Sequence, residues 1–284
     1  MYPKISIVTP SYNQGQFLEQ AILSVLNQNY ANLEYIIIDG GSTDNSIEII
    51  KKYEGQLAYW VSELDNGQSD AINKGFKITT GEILAWLNSD DVYMPGALLT
   101  VGWYFLKHPK ADVLYGNQLD IDESGNVFRA TRSLGFSKLG LLSRAGSIPQ
   151  PAAFFRKRVL EKVGYLDTSL EYNMDYDFFL RIAFNRCKIV HVPKTVAKFR
   201  YHSTSKTFVG KTETGEHEVT MRKIQQKYWI RNLGRANLPL LRLAWWYYQM
   251  KHRLLNLDQY IRYFGYYRKR LLSYFVRNST LHKF

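Results

Sequence analysis

Residues 83–91 read ILAWLNSDD, an uninterrupted apolar run that ends in two adjacent aspartates. A short apolar run bounded by polar residues predicts a buried strand. The same pattern occurs at residues 5–13 (ISIVTPSYN) and 35–44 (YIIIDGGSTD), and a weaker strand is predicted at residues 59–62. Apolar residues at helical spacing separate these strands. Alternating strands and helices of this kind predict an α/β fold with a mostly parallel, Rossmann-like central sheet covered by helices on both faces.

Polar side chains follow three of these strands at the point where each strand ends. They are Tyr12 and Asn13, then Asp39, then Asp90 and Asp91. Ligands of parallel sheets bind beyond the carboxyl ends of the strands, so we expect these side chains to lie close together. Two adjacent carboxylates repel each other unless a cation or hydrogen-bond donors offset their charge, and Mg²⁺ binds one or two carboxylates together with phosphate oxygens. The pattern therefore indicates a metal site beside a phosphorylated ligand, and a solvated turn that caps the next helix is the alternative.

Two local features have a purely structural interpretation. In the loop that follows residue 39, the glycines suit a tight turn, and Ser42 or Asp44 can cap the next helix. Earlier in the chain, Asn13 and Gln16 fit a capping box at the start of the first helix. We therefore expect Asp44 to cap a helix. Asp39 differs because it ends a strand, where its carboxylate can accept a hydrogen bond from a base or a ribose.

The composition excludes several classes of protein. The chain has 284 residues, of which 45% are hydrophobic and 22% are charged, as in an ordinary globular protein. Its single cysteine, Cys187, excludes an intramolecular disulfide framework and a cysteine-rich zinc site. The glycine patterns of dinucleotide dehydrogenases and P-loop ATPases do not occur, so a metal would have to hold any phosphates. No apolar run is long enough to span a bilayer and the first residues do not resemble a secretory signal, so a cytoplasmic location is expected.

These motifs together resemble glycosyltransferase family 2. The resemblance covers roughly residues 4–205 in the expected order, and it is carried by residues 5–13, 24–28 (SVLNQ), 37–44, 70–75 (DAINKG) and 81–91 (GEILAWLNSDD). It implies a GT-A fold, a nucleotide-sugar donor and inversion at the anomeric carbon. It also implies a divalent metal cofactor, Mn²⁺ or Mg²⁺.

The same resemblance implies a set of site residues. Pro10, Tyr12 and Asp39 would hold the nucleoside, with Asp65 near it. The full set assigned to the nucleotide-sugar is Pro10, Tyr12, Asn13, Asp39, Asp65, Asn73, Asn88, Ser89 and Asp90, and the set assigned to the metal is Asp90, Asp91 and His202. This chain has Asn88 and Gly40 at positions where the family often has aspartate. Metal affinity therefore rests on the two adjacent aspartates, and the sequence leaves open which of them contacts the ion.

A catalytic base is expected in the second half of the chain. The family's usual Glu-Asp pair is Met174-Asp175 here, and the resemblance implies that Asp175 is the base. Attack on a sugar carbon with a diphosphate leaving group needs one carboxylate to accept the proton of the acceptor hydroxyl, an effect of about 10²–10⁴-fold. The helix dipole alone could also explain a carboxylate at this helix start. Asp177 and Arg181 are four residues apart, which predicts an ion pair on the helix.

His202 follows a predicted strand at residues 195–199. The family frequently has a histidine at this point, close to the metal or the diphosphate, and a structural role is the alternative. Residues 203–217 are polar and contain glycine, which suits a lid that orders when the donor binds. Lys206 or Lys211 within this segment could reach a phosphate.

The positive charge of the chain is concentrated in residues 235–284, which carry a net charge of +9 out of the total of +12. This segment contains 12 aromatic residues, and two amphipathic helices are predicted in it, with a break near residues 256–258. Such a composition fits an interfacial helix on an anionic membrane, at the cytoplasmic face of the inner membrane. Packing on the catalytic domain and a homodimer contact are the alternatives. Nucleic-acid binding is not expected, because the rest of the chain is nearly neutral.

Four segments are therefore expected. Residues 1–110 form the nucleotide-sugar-binding half of the GT-A domain, residues 111–205 the acceptor and catalytic-base half, residues 206–234 a mobile lid and linker, and residues 235–284 a basic, aromatic helical tail. The expected function is that of an inverting, metal-dependent glycosyltransferase in bacterial surface polysaccharide synthesis, with a glycan or lipid-linked acceptor. The alternatives are a retaining transferase and a non-catalytic peripheral membrane or scaffold protein with a vestigial nucleotide-sugar fold.

Overall fold

The computed structural model describes residues 1–143, 148–212, 214–233 and 238–258. A nine-stranded sheet runs through this part of the chain. Its strands are β1 (Ile5–Ser11), β2 (Leu33–Asp39), β3 (Tyr59–Ser62), β4 (Ile83–Trp86), β5 (Val92–Tyr93), β6 (Val113–Ile121), β7 (Val127–Thr131), β8 (Ala153–Arg156) and β9 (Ile189–Arg200). The helices are α1 (Gly15–Leu26), α2 (Ser46–Tyr53), α3 (Gln68–Ile78), α4 (Ala97–Lys107), α5 (Lys138–Leu142), α6 (Arg158–Val163), α7 (Met174–Phe184), α8 (Lys206–Thr212), α9 (Glu216–Leu233) and α10 (Leu238–Leu255).

The strand order of the sheet is β3-β2-β1-β4-β8-β6-β9-β5, with β7 beside β6. The first four of these strands run parallel to their neighbours, as the sequence predicts. β8 runs antiparallel to both β4 and β6, and it joins the parallel half to a mixed half. The predicted α/β fold class is confirmed, although antiparallel pairs dominate the second half of the sheet. One of these pairs, β6 with β7, is a hairpin, and a short turn can connect only antiparallel strands.

Helices cover both faces of the sheet because successive side chains of a strand point to opposite sides. Val8, Ile36 and Trp86 are buried on one face together with side chains of α3, α7 and α9. Ile7 and Ile37, each one residue away, are buried on the other face with side chains of α1, α2 and α4. The two cores fix the sheet from both sides, so the carboxyl ends of the strands form a rigid edge.

The first turns of α1 and α2 lie near this edge, and the capping box expected at the start of α1 does not form. Asn13 does not form a capping box, because it has a positive φ of 50° and its Oδ1 accepts a hydrogen bond from the backbone NH of Thr43. Asp44 binds the first NH of two helices: its carboxylate accepts from the NH of Gly15 at 2.9 Å and from the NH of Ser46 at 2.9 Å. Asp44 is not itself the N-cap residue of α2, which is Asn45, but its carboxylate ties the starts of α1 and α2 together.

The segment expected to be a lid and linker is largely helical. α8 and α9 occupy most of residues 206–233, and Ile224, Tyr228 and Trp229 of α9 are buried in the main core. The linker assignment for residues 206–234 is therefore corrected for α9, which is a core helix. Mobility of α8 stays a prediction.

The tail begins with α10, which packs against the α/β domain. The hydroxyls of Tyr248 and Ser137 are 2.6 Å apart, and the Asn256 side chain is bonded to both the NH and the C=O of Arg132 at 2.8 and 3.1 Å. α10 ends at Leu255, next to the predicted break. The second predicted tail helix lies outside the described residues. Among the helices that the structure describes, none combines the length and the apolar character needed to cross a membrane.

Candidate active site

Asp39 organises the loop at the end of β2. It is fully buried, and its carboxylate accepts hydrogen bonds from the NH groups of Gly41 and Ser42 at 3.1 and 2.8 Å. The hydroxyls of Ser42 and Ser62 also donate to it, at 2.6 and 2.7 Å. Both carboxylate oxygens thus bind groups of the protein, which fixes the Gly-Gly-Ser turn against β3. A contact between Asp39 and the nucleoside stays a prediction.

Asp65 packs against the same turn because residue 40 is glycine. A Cβ at Gly40 would lie only 2.6 Å from Oδ2 of Asp65, so no side chain fits there without displacing the carboxylate. The NH of Gly67 donates to Asp65 Oδ1 at 2.7 Å, and burial raises the pKa of Asp65. Pro10 lies in β1, and Tyr12, just after it, is 60% exposed. An exposed aromatic ring of this kind can stack on a planar ligand.

The two adjacent aspartates have different environments. Asp91 is fully buried, and its Oδ1 accepts from the backbone NH of Arg200 at 3.0 Å. Burial, reinforced by the neighbouring charge of Asp90, raises the pKa of Asp91 well above the usual value of an aspartate. The sequence left open which of the two contacts the ion. Asp90 lines the cavity described below, whereas Asp91 is enclosed among protein atoms, so the geometry favours Asp90 as the metal ligand.

Arg200 holds the turn that contains these aspartates, and the sequence analysis did not identify it. Its side chain is almost fully buried, and its Nε donates to the backbone C=O of Asp90 at 2.9 Å. Its two Nη atoms donate to the backbone C=O of Glu123 at 2.9 Å and to Oε1 of Gln20 at 2.8 Å. The guanidinium also lies 4.9 Å from the ring centroid of Phe17. The sequence signal for Arg200 is weak, because it is one of several polar residues in β9, which also contains Lys194 and Lys198.

His202 makes a direct contact with Asp90. Its Nε2 lies 2.9 Å from Asp90 Oδ2, its Nδ1 lies 2.9 Å from Oγ1 of Thr204, and its ring packs on Phe17 at 4.6 Å between centroids. The imidazole is thus oriented from three sides. The sequence placed His202 close to the metal or the diphosphate, and the structure brings it to the one aspartate of the pair that faces the cavity.

A cavity of about 380 Å³ lies at this edge of the sheet, and it contains both carboxylates that the sequence assigned to chemistry. Asp90 and Asn88 line it from the end of β4, and Asp175 lines it from the first turn of α7. The sequence placed these residues 85 positions apart along the chain, between 90 and 175, without evidence that they meet. The structure brings them to a single cavity.

The neighbour of Asp175 on α7 has a different role. Asp177 is buried, and its carboxylate accepts from Nε of Arg181 at 2.8 Å and from the hydroxyl of Tyr228 at 3.1 Å. The predicted i,i+4 ion pair is therefore confirmed. Asp177 does not line the cavity, so the two carboxylates of α7 separate into a structural one and one at the site.

Two glutamines that the sequence analysis missed hold Asn88. Gln68 Nε2 donates to Asn88 Oδ1 at 2.8 Å, and Asn88 Nδ2 donates to Gln150 Oε1 at 3.1 Å. Gln150 in turn donates to the backbone C=O of Trp86 at 2.9 Å. All three amides line the cavity. The position where an aspartate would add a negative charge is therefore occupied by a neutral network of amides. Ser89, the next residue, is buried.

Asn73 does not belong to this site. Its amide is buried and donates to the backbone C=O of Leu166 at 2.9 Å, while its Oδ1 accepts from the NH of the same residue at 3.0 Å. Both ends of the amide are thus bonded to the loop before α7. We correct the assignment of Asn73 from donor binding to the positioning of that loop.

Lys206, at the start of α8, also lines the cavity. Its ammonium group lies 5.7 Å from the ring centroid of Tyr172, and burial lowers the pKa of Lys206. A lysine in this position is a candidate partner for a diphosphate. The side chain of Lys211 lies outside the described residues.

The side chains at this site could supply only some of the ligands of a divalent ion. Within the described ranges, no group of three or more His, Cys, Asp or Glu side chains could hold a metal on its own. Asp90 and His202 supply two ligand atoms at the same point. Ions such as Mg²⁺ are commonly held by one or two protein groups together with substrate phosphates and water. The pair therefore suits an ion that takes most of its ligands from a bound diphosphate.

Comparison with known proteins identifies the class to which this fold and site belong. The family model for glycosyl transferase family 2 matches residues 6–164, and the chain belongs to that family. The resemblance stated from the motifs is thus confirmed, as is the GT-A fold.

Curated relatives extend the similarity over most of the chain. An uncharacterized glycosyltransferase of Rickettsia conorii is 31% identical over 214 residues, which are 70% of this chain and 34% of that protein. One of Rickettsia typhi is 29% identical over 225 residues, 76% of this chain and 70% of that protein. The chain therefore spans about a third of the length of the first relative and more than two thirds of the second.

Two solved structures show the same fold at low sequence identity. Residues 1–349 of Staphylococcus aureus TarS in complex with UDP-GlcNAc give a TM-score of 0.61 at 16% identity, over 94% of this chain and 92% of that one. The mannosyltransferase PcManGT of Pyrobaculum calidifontis, in complex with GDP-Man and Mn²⁺, gives a TM-score of 0.59 at 18% identity. It covers 86% of this chain and 74% of that one.

Proposed function

We propose that this chain is an inverting, metal-dependent glycosyltransferase that moves a sugar from a nucleotide-sugar donor to an acceptor hydroxyl. The observation that carries the proposal is that Asp90 and Asp175 line one cavity. One carboxylate, with His202, suits the metal and diphosphate end of a donor. The other suits the acceptor end, because an inverting displacement needs a base on the face opposite the leaving group.

In the proposed reaction, Asp175 accepts the proton of the acceptor hydroxyl while the hydroxyl oxygen forms a bond to the anomeric carbon. The bond between that carbon and the diphosphate oxygen breaks, and the nucleoside diphosphate leaves on the opposite face. A divalent ion held by Asp90 and His202 would neutralise charge on this leaving group. No second carboxyl group is required, in contrast to glycosidases.

Two other features of the cavity support donor binding. The amides of Gln68, Asn88 and Gln150 offer donors and acceptors in fixed orientations. Lys206 adds a cation to the cavity lining, where it could meet a phosphate once α8 closes. The related folds were solved with UDP-GlcNAc and with GDP-Man, so the fold accommodates either base.

The competing hypothesis is a scaffold protein with a vestigial donor site. Loss of the residues at the metal and base positions would favour it, but Asp90, His202 and Asp175 are all present and all near the same cavity. We therefore favour an active enzyme. Bacterial surface polysaccharide synthesis, with a glycan or lipid-linked acceptor, is the role that we propose for it.

We also propose that the outer face of α10 lies on an anionic membrane. The inner face of the helix binds the domain through Tyr248 and Asn256. The outer face exposes large apolar side chains at helical spacing, namely Leu243, Trp246, Tyr247, Met250 and Leu254. Exposed Lys251 and Arg253 flank them, and the net charge of +9 in residues 235–284 complements an anionic surface.

The membrane proposal is tested by sedimentation with vesicles of phosphatidylcholine alone and with added phosphatidylglycerol. The protein should bind only the anionic vesicles, and Trp246→Glu together with Leu254→Glu should abolish binding without lowering the thermal midpoint. A dimer that the same double variant dissociates, with no vesicle binding, would show that a second copy covers this face instead.

The catalytic proposal is tested with a panel of UDP-, GDP- and dTDP-sugars, read as thermal stabilisation with and without Mn²⁺. A ligand that binds the native state raises the midpoint in proportion to its affinity. One nucleotide class should stabilise the protein in a metal-dependent way and should then support transfer. Stabilisation without turnover over a broad set of acceptors would favour the scaffold hypothesis.

A further inference from the structure

A second cavity, of about 230 Å³, adjoins the one that contains Asp90 and Asp175. Gln118, Pro149 and Tyr201 line both cavities, so the two are adjacent. The remaining lining residues come from the β6–β7 hairpin, the segment that follows it and the tail helix: Arg129, Thr131, Ser133, Leu134 and His252.

One polar group in this second cavity has no hydrogen-bond partner among the described residues. The Ser133 hydroxyl is buried and makes no hydrogen bond within the described part of the chain. The backbone of the same residue is fixed, because its NH donates to Oδ1 of Asn117 at 2.9 Å. Buried polar groups are nearly always hydrogen-bonded, so an unsatisfied hydroxyl in the wall of a cavity indicates a missing ligand or water.

The charged groups of this cavity are compensated. Arg129 forms an ion pair with the buried Asp120, and it donates to the Tyr201 hydroxyl at 2.9 Å. Burial, followed by the positive charge of Arg129, lowers the pKa of His252, which favours the neutral imidazole. The cavity thus offers hydroxyl, amide and imidazole groups beside the apolar Leu134 and Pro149, and its described lining residues include no unpaired positive charge for a phosphate.

The tail helix closes one side of this cavity. His252 reaches it from α10, and one helical turn further on, the Asn256 amide is bonded to the NH and the C=O of Arg132. Arg132 immediately precedes Ser133. The position of the unsatisfied hydroxyl therefore depends on the docking of α10.

We propose that this second cavity is an acceptor subsite that binds a neutral sugar unit of the acceptor, with the tail helix as one of its walls. A sugar ring presents hydroxyls to polar groups and an apolar face to groups such as Leu134 and Pro149. A unit bound there would lie beside the cavity that contains Asp175. The proposal rests on the proposed glycosyltransferase function and extends it to the acceptor class.

The test uses the whole chain and a panel of methyl glycosides of glucose, galactose, mannose, rhamnose and N-acetylglucosamine, with binding read by ligand-observed NMR. Thr131→Trp should fill the cavity from β7. Val127→Trp places the same side chain on the same strand at an exposed residue outside the cavity, and it serves as the matched control. Ser133→Ala removes only the buried hydroxyl.

At least one glycoside should bind the wild type and Val127→Trp equally. Thr131→Trp should weaken its binding by more than about tenfold, and Ser133→Ala by a few-fold, as expected for one lost hydrogen bond. All four proteins should retain the same affinity for the nucleotide-sugar. Three results would overturn the proposal: no glycoside binds the wild type, glycoside binding survives Thr131→Trp, or inorganic phosphate competes for the cavity and the glycosides do not. Failure of the glycosyltransferase proposal is distinguishable, because in that case all four proteins either fail to bind a nucleotide-sugar or bind it without transfer, whatever the glycosides do.

Discussion

The Nε2 atom of His202 lies 2.9 Å from Oδ2 of Asp90, across 112 positions of sequence. Asp90 follows β4 and His202 follows β9, and these strands are not neighbours in the sheet. Arg200 connects them, because its backbone and side chain bind Asp91 and Asp90 while it ends β9. The candidate metal ligands are thus brought together by a buried arginine that is not itself part of the cavity lining.

Because the two aspartates have different environments, the same substitution should affect donor affinity at Asp90 and not at Asp91. Asp90→Asn should lower metal-dependent affinity for the donor by at least about tenfold, because it removes the anionic ligand. Asp91→Asn should leave this affinity and the stability nearly unchanged, since asparagine resembles the protonated form that burial favours. Titration calorimetry of the nucleotide with and without Mn²⁺ measures both. Equal losses in the two variants would contradict the assignment.

The two aspartates of α7 give a second matched pair. Asp175→Asn should reduce kcat for transfer by about 10²–10⁴-fold with donor affinity retained, because only the base is lost. Asp177→Asn should instead lower the free energy of unfolding by about 1–3 kcal/mol, since it weakens a buried charge-assisted bond to Arg181. Steady-state kinetics and urea unfolding separate the two effects. Normal turnover by Asp175→Asn would remove this residue from the mechanism.

Because of Lys206, we expect the affinity for the nucleotide-sugar to fall at alkaline pH. Burial lowers the pKa of this lysine, so it loses its proton at a lower pH than an ordinary lysine. The protonated form would bind diphosphate, and affinity for the donor should therefore fall as the pH rises towards that pKa. Lys206→Arg should keep its charge and abolish the fall, whereas Lys206→Met should lower affinity about tenfold at pH 7. An identical pH profile in wild type and Lys206→Arg would argue against a phosphate contact.

Because of Glu34, which lies in the parallel half of the sheet, we expect the fold to lose stability at acid pH. Burial alone would raise its pKa, but hydrogen bonds from Ser6, Thr80 and Lys4 outweigh burial and lower the pKa to about 2. A lowered pKa stabilises the fold at neutral pH, and this contribution should disappear as the pH falls from about 4.5 to about 2. Glu34→Gln should cost about 1–3 kcal/mol at pH 7 and progressively less in that acid range. Urea unfolding across pH measures it, and a constant difference would contradict the assignment.

Much of the fold could be predicted because it depends on local patterns. The apolar runs that became β1, β2 and β4 are continuous, and the parallel arrangement follows from their alternation with helices. β1 continues through Pro10 to Ser11 beside β2, although its pairing with β4 ends at Val8, and the sequence does not show that these two pairings differ in length. The antiparallel strands of the second half lacked this alternation, so their order in the sheet was not predictable.

The sequence identified a site residue only where the residue type within a motif was enough to indicate its role. Asp90, Asp175 and His202 were identified from their motifs. The sequence could not distinguish Asp90 from Asp91, because Arg200, 109 residues later, decides which of them is enclosed. Likewise, the sequence does not show that Asn73 is bonded to Leu166, 93 residues away, and so it could not indicate that Asn73 positions a loop and does not bind the donor. Long-range hydrogen bonds of this kind have no local signature in a single sequence.

The most direct test of the central claim is a crystal structure of the protein with Mn²⁺ and the nucleotide-sugar that the stabilisation panel selects, in an inactive Asp175→Asn variant. The diphosphate and the ion should lie at Asp90 and His202, and residue 175 should face the anomeric carbon from the side opposite the diphosphate. A donor bound elsewhere, or a residue 175 on the same side as the leaving group, would contradict the account.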